Sequence, residues 1–362
     1  MDSLAAVEDH PADDLVGLTA ALVAVPSVFP DERVLADAVE RRLRNRAPGL
    51  VIDRVANNVF ARTQLGADRR IVLGGHLDTV PANDNAVPRL EGDTLYGLGT
   101  ADMKGSLAVL LALAELIERR EPRFDVTLFW YEGEEVAEEH NGLRHVFEVA
   151  PELLAADLAI LCEPTGGWLE AGCQGTVHLR AEFTGVRAHS ARPWMGANAI
   201  AKMAPVLDRV ATHSIGSVEV DGLEFTQALE TVRVEGGVAN NVVPDAAAFV
   251  VNRRFAPCFS TDDAIAQTAA LLDGADRIEV VNESPGAHPN LANPLVAEFV
   301  EVGSLPVRSK LGWTDVARFA SRGVPALNFG AGDPTLAHTK DERVERADLE
   351  RCHHVLTRFC GL

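Results

Sequence analysis

Cysteine is scarce in this sequence, and its arrangement excludes two common uses of the residue. The 362-residue chain has five cysteines, and none of them form a C-x-x-C pair. They are Cys162, Cys173, Cys258, Cys352 and Cys360. An odd number without that spacing is typical neither of a disulfide framework nor of a zinc ribbon. We therefore predict reduced cysteines in a cytosolic enzyme.

The sequence also lacks long apolar runs and an excess of basic residues. No run approaches the roughly 18 apolar residues that a membrane span needs, and the N-terminus carries acids where a signal peptide has lysines. Lys and Arg total 33 against 53 Asp and Glu, a net charge of −20. That charge repels a phosphate backbone. We expect a cytoplasmic protein with neither nucleic acid nor membrane as a partner. The net charge does not exclude an anionic small molecule as substrate, because a local arginine pocket can bind it.

Three catalytic motifs are absent as well. The chain has no G-x-S-x-G of a serine hydrolase, no G-x-x-x-x-G-K-[ST] phosphate loop and no H-E-x-x-H of a zincin. A dinucleotide-binding turn would start at Gly97 and Gly99, but its third glycine position carries Asp102. These absences disfavour serine hydrolysis, nucleotide binding and the zincin class of protease.

Short apolar runs are present in the first half of the chain and again near its end. They predict buried strands at 70–76, 125–131, 157–162 and 325–330, with helices at 103–118 and 291–302. Strand, helix and strand in this order are typical of a βαβ unit. The pattern therefore predicts an α/β domain with a parallel sheet covered on both faces.

Residues 176–283 have a different pattern. The predicted elements are a strand at 177–183, a helix at 197–212, strands at 229–234 and 246–255, a helix at 262–272 and a strand at 277–281. This β-α-β-β-α-β order is that of the ferredoxin-like motif. We predict a discontinuous metal-binding catalytic domain, 1–175 and 285–362, with a second domain inserted at 176–284.

Acidic or histidine-bearing turns follow four of the predicted strands. In open α/β sheets, ligands bind just beyond the carboxyl ends of the strands. The candidate metal ligands near these ends are His76, Asp102, Glu135, Glu163 and His338. Each alone has an ordinary explanation as a loop histidine, a helix N-cap or a solvated acid. Their coincidence at one predicted sheet edge favours metal binding.

The donor types suit two divalent cations. Zinc accepts imidazole nitrogen and carboxylate oxygen, and a bridging aspartate would hold two ions about 3.5–4 Å apart. Asp78, two residues after His76, is placed to accept the second N–H of that imidazole. Glu134 is the remaining carboxylate beside the ligands, where a general base belongs.

Five segments resemble the M20 family of metal-dependent amidohydrolases, and they occur in the family's order. They are GGHLDTVP (74–81), YGLGTADMKG (96–105), EGEE (132–135), CEP (162–164) and the late His338. The resemblance covers nearly the whole chain. It implies a zinc-dependent exopeptidase-like catalytic domain with an inserted ferredoxin-like α+β lid domain. It also implies a homodimer formed through that lid, and two Zn²⁺ or Co²⁺ ions per subunit.

The resemblance implies a role for each matching metal ligand. His76, Glu163 and Asp102 would bind one ion, and His338, Glu135 and the shared Asp102 would bind the other. It also implies a cis peptide bond after Asp102.

The remaining matches concern catalysis and substrate. Glu134 matches the general base, and Asp78 matches the acid behind the metal ligands. His189 matches a lid histidine that reaches the active site of the partner subunit and helps to hold the oxyanion. The matched substrate contacts are Asn241, Arg254, Gly312 and Trp313.

Segments 185–200 and 239–245 are most similar to the actinobacterial desuccinylases of the family. These cleave N-succinyl-LL-2,6-diaminopimelate to succinate and LL-2,6-diaminopimelate in lysine biosynthesis. Two departures concern substrate choice. The loop KLGWTD (310–315) is bulkier than in the better-known bacterial members, and APCF (256–259) lacks family character.

Other interpretations remain open. Within the family they are an acetylornithine deacetylase, an N-acyl amino-acid hydrolase and a dipeptidase. Outside enzymes, the alternative is a metal-stabilised binding protein. Glu134 disfavours that alternative, because a purely structural site needs no additional carboxylate.

Overall fold

The computed structural model describes residues 3–362, and the chain divides into two units. Of the described residues, the large unit contains 3–171, Asn290–Arg308 and Arg318–Leu362, and the inserted unit contains Gly172–Pro289 and Ser309–Ala317. Among the described residues, no helix has the length and apolar character that crossing a membrane requires.

Helices and strands alternate through much of the chain. The α-helices of residues 3–362 are α1 (Ser3–Asp9), α2 (Leu15–Val23), α3 (Arg33–Arg46), α4 (Gly105–Arg119), α5 (Gly142–Val149), α6 (Ala199–Thr212), α7 (Thr261–Leu271), α8 (Pro294–Gly303), α9 (Val316–Ala320) and α10 (Arg346–Cys360). The strands are β1 (Val51–Val55), β2 (Asn58–Arg62), β3 (Arg70–His76), β4 (Arg89–Glu91), β5 (Thr94–Tyr96), β6 (Asp125–Tyr131), β7 (Leu158–Pro164), β8 (Leu169–Ala171), β9 (Gly175–Thr184), β10 (Ala188–His189), β11 (Ser217–Val220), β12 (Leu223–Thr226), β13 (Ala228–Gly236), β14 (Val242–Val243), β15 (Ala246–Phe255), β16 (Arg277–Ser284), β17 (Val307–Ser309), β18 (Ala326–Gly330) and β19 (Arg343–Glu345).

An eight-stranded sheet forms the centre of the large unit. Its order is β1-β2-β6-β3-β7-β18-β8-β17. β3 is parallel to β6 and β7, and β7 is parallel to β18, whereas β2 is antiparallel to β1 and β6. Every residue of β6 and β7 is buried. Because successive side chains of a strand point to opposite faces, both faces of the sheet are covered there. This burial explains the continuous apolar runs of the sequence.

The helix after β3 begins later than the sequence predicts. A π-type turn occupies Thr100–Lys104, and α4 begins at Gly105. Asp102 and Met103 have non-helical backbone angles, with φ of −122° and −139°. The predicted start at residue 103 is therefore wrong by two residues, because this turn interrupts the local helical pattern.

The inserted unit has a four-stranded sheet in the order β13-β15-β9-β16. All three neighbouring pairs are antiparallel. Burial alternates along β9 and β15, and the buried side chains form one core with those of α6 and α7. This order of strands and helices confirms the predicted ferredoxin-like fold.

The bounds of the inserted unit differ from the predicted 176–284. It extends over 172–289 and also includes 309–317, a loop that the sequence assigned to the first domain. The cause is hydrogen bonding to residues that are distant in sequence. Trp313 Nε1 donates to the carbonyl of Pro285 at 3.1 Å, and Ser309 Oγ donates to the carbonyl of Glu224 at 2.6 Å. A short loop therefore belongs to a unit distant from it in sequence.

Candidate metal centre

The carboxyl ends of four neighbouring strands lie at one edge of the large sheet. His76, the last residue of β3, is opposite Tyr131, the last residue of β6. Pro164, the last residue of β7, is opposite Gly330, the last residue of β18. His76 and Glu163 lie in the last residues of β3 and β7, whereas Glu135 and His338 follow β6 and β18 in the chain, as ligands at the carboxyl ends of the strands should.

Asp102 lies in the π-type turn that precedes α4. The peptide bond between Asp102 and Met103 is cis, as the family resemblance implied. The carboxyl group of Asp102 lies between two imidazoles. His76 Nε2 is 3.0 Å from Asp102 Oδ1, and His338 Nε2 is 3.5 Å from Asp102 Oδ2. Each carboxylate oxygen thus faces a different histidine, the arrangement that a bridging ligand needs.

Glu135 completes the group on the His338 side. Its Oε1 lies 2.6 Å from His338 Nε2. Potential ligand atoms of His76, Asp102 and Glu135 all lie within 4.8 Å of one another. Two donors bound tetrahedrally to one zinc ion lie about 3.3 Å apart, close to these distances. The donor set, two nitrogens and carboxylate oxygens, therefore fits divalent metals.

The pKa values of these groups reflect strong local attraction between opposite charges. The carboxylates of Asp102 and Glu135 raise the pKa of His338 to about 10. Burial lowers the pKa of His76, but Asp102 and Asp78 outweigh it and hold that pKa well above its usual value. Burial raises the pKa of Asp102, yet hydrogen bonds from His338 and His76 hold it well below its usual range. The carboxylates therefore attract positive charge, which a bound metal ion would supply.

Glu163 is the fifth predicted ligand, and the sheet register determines its position. Gly74 of β3 is opposite Leu161 of β7. Glu163 is two residues beyond Leu161, as His76 is two residues beyond Gly74. Both residues are buried, with 6% and 1% of their surfaces exposed. Glu163 thus lies at the same sheet edge as His76, on the adjacent strand.

Asp78 makes contacts that the sequence did not predict. The nearest acceptor to His76 Nδ1 is the backbone carbonyl of Asp78, at 3.0 Å, and the Asp78 carboxylate is 3.5 Å away. That carboxylate instead accepts the backbone N–H groups of Glu134 at 3.0 Å and Glu135 at 2.9 Å. It is fully buried. One side chain therefore orients the loop that carries both the predicted base and a predicted ligand.

The EGEE segment (132–135) is a tight turn. Gly133 has φ of +69°, and a Cβ there would lie 2.3 Å from the carbonyl oxygen of His140. Only glycine fits this left-handed position without strain. Glu132 accepts hydrogen bonds from Asn57 and Asn58, and Glu134 is half-buried. The turn is therefore anchored on both sides of the predicted base.

The predicted lid residues all lie in the inserted unit. The exposed His189 is opposite Val242 in the ladder of β10 and β14, and the N–H of Ser190 donates to the carbonyl of Asn241 at 2.9 Å. His189 and Asn241 thus lie on adjoining segments. Arg254 lies in β15, where burial lowers the pKa of its guanidinium. Gly312 and Trp313 lie in the loop 309–317.

One buried acid beside the candidate metal centre was not predicted from the sequence. Glu342 is 1% exposed, and its Oε1 accepts the backbone N–H groups of Ala101 and Asp102, each at 3.1 Å. Burial raises its pKa to about 7. Its position four residues after His338 is the only signal in the sequence, and an acid in a loop is too common to single out by that signal alone.

Known proteins are similar to this chain over most of its length. The profile of peptidase family M20/M25/M40 matches residues 72–361. A protein of Mycobacterium tuberculosis is 47% identical over 349 residues, which are 96% of this chain and 98% of that protein. The succinyl-diaminopimelate desuccinylase of Corynebacterium glutamicum is also 47% identical, over 93% of this chain and 94% of its own.

Solved structures are similar over nearly the full length of the chain. An aminopeptidase, PepT, from Bacillus cereus has a TM-score of 0.79 at 19% identity, covering 97% of this chain and 98% of its own. A Bacillus subtilis protein, described as a dinuclear metal binding peptidase of the M20 family, has a TM-score of 0.72 at 14% identity, with coverages of 96% and 97%. At these identities the likeness shows the fold.

Proposed function

Because this chain belongs to peptidase family M20/M25/M40, a family of metal-dependent amidohydrolases, we propose that it hydrolyses N-succinyl-LL-2,6-diaminopimelate. The products are succinate and LL-2,6-diaminopimelate. The observation that carries this substrate is the 47% identity, over 93% of the chain, to the C. glutamicum desuccinylase. Alignment of nearly the whole chain means that the relative shares both the large and the inserted unit.

Two divalent ions would be held by this chain's own ligands. His76, Glu163 and Asp102 would hold one, and His338, Glu135 and the shared Asp102 the other. Bound there, the ions would acidify water and polarise the amide carbonyl. Zn²⁺ or Co²⁺ suits these nitrogen and oxygen donors. The carboxyl of Asp102 between two imidazoles supports the pairing, at 3.0 Å and 3.5 Å.

Glu134 would move the proton of the reaction. Its carboxylate accepts a proton from the attacking water, whose oxygen forms a bond to the amide carbon. The same group then delivers that proton to the departing amine as the carbon–nitrogen bond breaks. Asp78 would hold the base in place through the backbone N–H groups of Glu134 and Glu135.

The inserted unit would recognise the substrate and complete the site. We assign the substrate carboxylates to Arg254 and Asn241, and the rest of the substrate to Gly312 and Trp313. A half-buried guanidinium favours an anion beside it. His189 would donate a hydrogen bond to the developing oxyanion in a second copy of the chain, and the protein would act as a homodimer through this unit. We place the enzyme in the cytoplasm, with neither nucleic acid nor membrane as a partner.

A substrate panel tests the proposal. The protein purified with Zn²⁺ or Co²⁺ should release succinate from N-succinyl-diaminopimelate. Activity confined to N-acetylornithine, other N-acyl amino acids or dipeptides would replace the substrate with one of the alternatives. Binding of metal without any hydrolysis would favour the metal-stabilised binding protein.

A pair of variants tests the base. Glu134→Gln should abolish turnover while both metals stay bound. Glu139→Gln is the matched control, because Glu139 follows Glu134 by five residues and its side chain is 74% exposed. A Glu134→Gln variant with a rate near that of the wild type would disprove the role of Glu134.

A further inference from the structure

Two segments that carry predicted metal ligands meet at a small sheet in the large unit. β5 pairs with both β4 and β19. Asp102 follows β5 in the chain, and His338 precedes β19. The pairing of Tyr96 with Arg343 therefore fixes where both ligand-bearing segments start or end.

Glu342 joins these two segments directly. Its backbone carbonyl accepts the N–H of Gly97 at 3.0 Å, which continues the ladder by one step. Its carboxylate reaches further, and Oε1 accepts the N–H groups of Ala101 and Asp102 at 3.1 Å each. Only 1% of the surface of Glu342 is exposed, so the carboxylate forms these hydrogen bonds away from water. There, a backbone N–H that loses its acceptor destabilises the folded protein.

A neighbouring asparagine reinforces the same connection. The backbone carbonyl of Asn85 accepts the N–H of Leu98 at 2.8 Å, and its side-chain Nδ2 donates to the carbonyl of Thr339 at 3.1 Å. His338 itself has φ of +62°, a conformation that non-glycine residues adopt only where their surroundings hold them. The segment after His338 is therefore held firmly against the turn before Asp102.

We propose that Glu342 is a positioning residue that sets the Asp102 carboxyl between His76 and His338. The proposal rests on the metal centre of the proposed function. Glu342 is neither a proposed metal ligand nor a proposed substrate contact. It acts through the backbone of Asp102, whose carboxyl must face an imidazole on each side.

Two conservative substitutions separate the acceptor of Glu342 from its charge. Glu342→Asp keeps the charge but withdraws the oxygen by one methylene from the N–H groups of Ala101 and Asp102. Glu342→Gln removes the charge but keeps an oxygen at the same reach. Glu345→Asp is the control, because it makes the same change three residues later at an exposed position.

The measurement is titration of the metal-free protein with Co²⁺, followed by visible absorption, together with kcat and KM for N-succinyl-diaminopimelate. We expect wild-type protein to bind two Co²⁺ ions. Glu342→Asp should weaken at least one of them by about 10- to 100-fold, as loss of a partner behind a ligand does, and should lower kcat with KM unchanged. Glu342→Gln should retain more affinity than Glu342→Asp, and Glu345→Asp should match the wild type.

Two results overturn the proposal. One is wild-type cobalt affinity in Glu342→Asp, and the other is a loss in Glu342→Gln as large as that in Glu342→Asp. A wild-type protein that binds two Co²⁺ ions without cleaving N-succinyl-diaminopimelate would refute the substrate alone, since the cobalt titrations still test Glu342. A wild-type protein that binds fewer than two ions would refute the metal centre and this proposal together.

Discussion

Asp78→Asn is the substitution whose effect follows most directly from the structure. The two carboxylate oxygens of Asp78 accept one backbone N–H each, from Glu134 and Glu135. Asparagine has one oxygen, so one of these N–H groups would face the amide NH₂ instead. Losing a hydrogen bond to a charged acceptor costs about 1.5–3 kcal/mol.

That energy predicts the size of the kinetic effect. If the misplaced loop loses the full amount in the transition state, kcat falls about 10- to 100-fold, at about 1.4 kcal/mol per factor of ten. The stability to urea should fall by a similar ~1.5–3 kcal/mol. The metal held by His76 should stay bound, because His76 Nδ1 keeps the backbone carbonyl of Asp78 as its partner at 3.0 Å.

Asp125→Asn is the matched control. Asp125 begins β6, the strand whose far end leads into the same loop, and its carboxylate accepts N–H groups of Leu65, Gly66 and Ala67. This variant should lose comparable stability with kcat unchanged. Steady-state kinetics and urea unfolding of both variants test this prediction. Wild-type kcat in Asp78→Asn, or an equal fall of kcat in Asp125→Asn, would refute the reasoning.

Three further predictions concern charge. Arg42 and Glu115 form a buried ion pair at 2.6 Å, with side chains 1% and 4% exposed. Arg42→Met leaves Glu115 without this partner and should lower the free energy of unfolding in urea by about 3–5 kcal/mol. A loss below about 1 kcal/mol would contradict this prediction. Burial raises the pKa of Asp125, but hydrogen bonds from Leu65 and Thr63 and the charge of Arg70 lower it overall. The stability that Asp125 contributes is therefore present above about pH 4 and lost as the pH falls through its lowered pKa, so wild type and Asp125→Asn should converge in acid. The pKa of His338 is raised to about 10, so a metal must displace a proton from its imidazole. The affinity for Co²⁺ should therefore rise with pH, by up to about tenfold per pH unit for each proton displaced. An affinity that does not change between about pH 6.5 and 8.5 would count against His338 as a ligand.

The apolar runs of the large unit predicted four of its buried strands, β3, β6, β7 and β18. The predicted strands at 70–76 and 125–131 match β3 and β6 residue for residue. Burial on both faces imposes a continuous apolar sequence, and that constraint is local. Since parallel strands end at the same edge, the positions of His76 and Glu163 followed from the same runs.

Other elements carry no such local signal. The hairpin of β1 and β2 was not predicted; β1 lies at the edge of the sheet and is only half-buried. The loop 309–317 could not be assigned to the inserted unit, since the hydrogen bond of Trp313 to Pro285 spans 28 residues.

By itself, the sequence determined which residue types stand at the carboxyl ends of the strands, and hence the metal chemistry of the site. The tertiary structure alone decided how those side chains are held. It directed the Asp78 carboxylate to the backbone of Glu134 and Glu135, and it brought Glu342 to Asp102 across 240 residues of chain. The spacing of apolar residues in the sequence indicates which side chains of a helix or strand are buried. Contacts between distant segments depend on strand register and packing, which no local pattern contains.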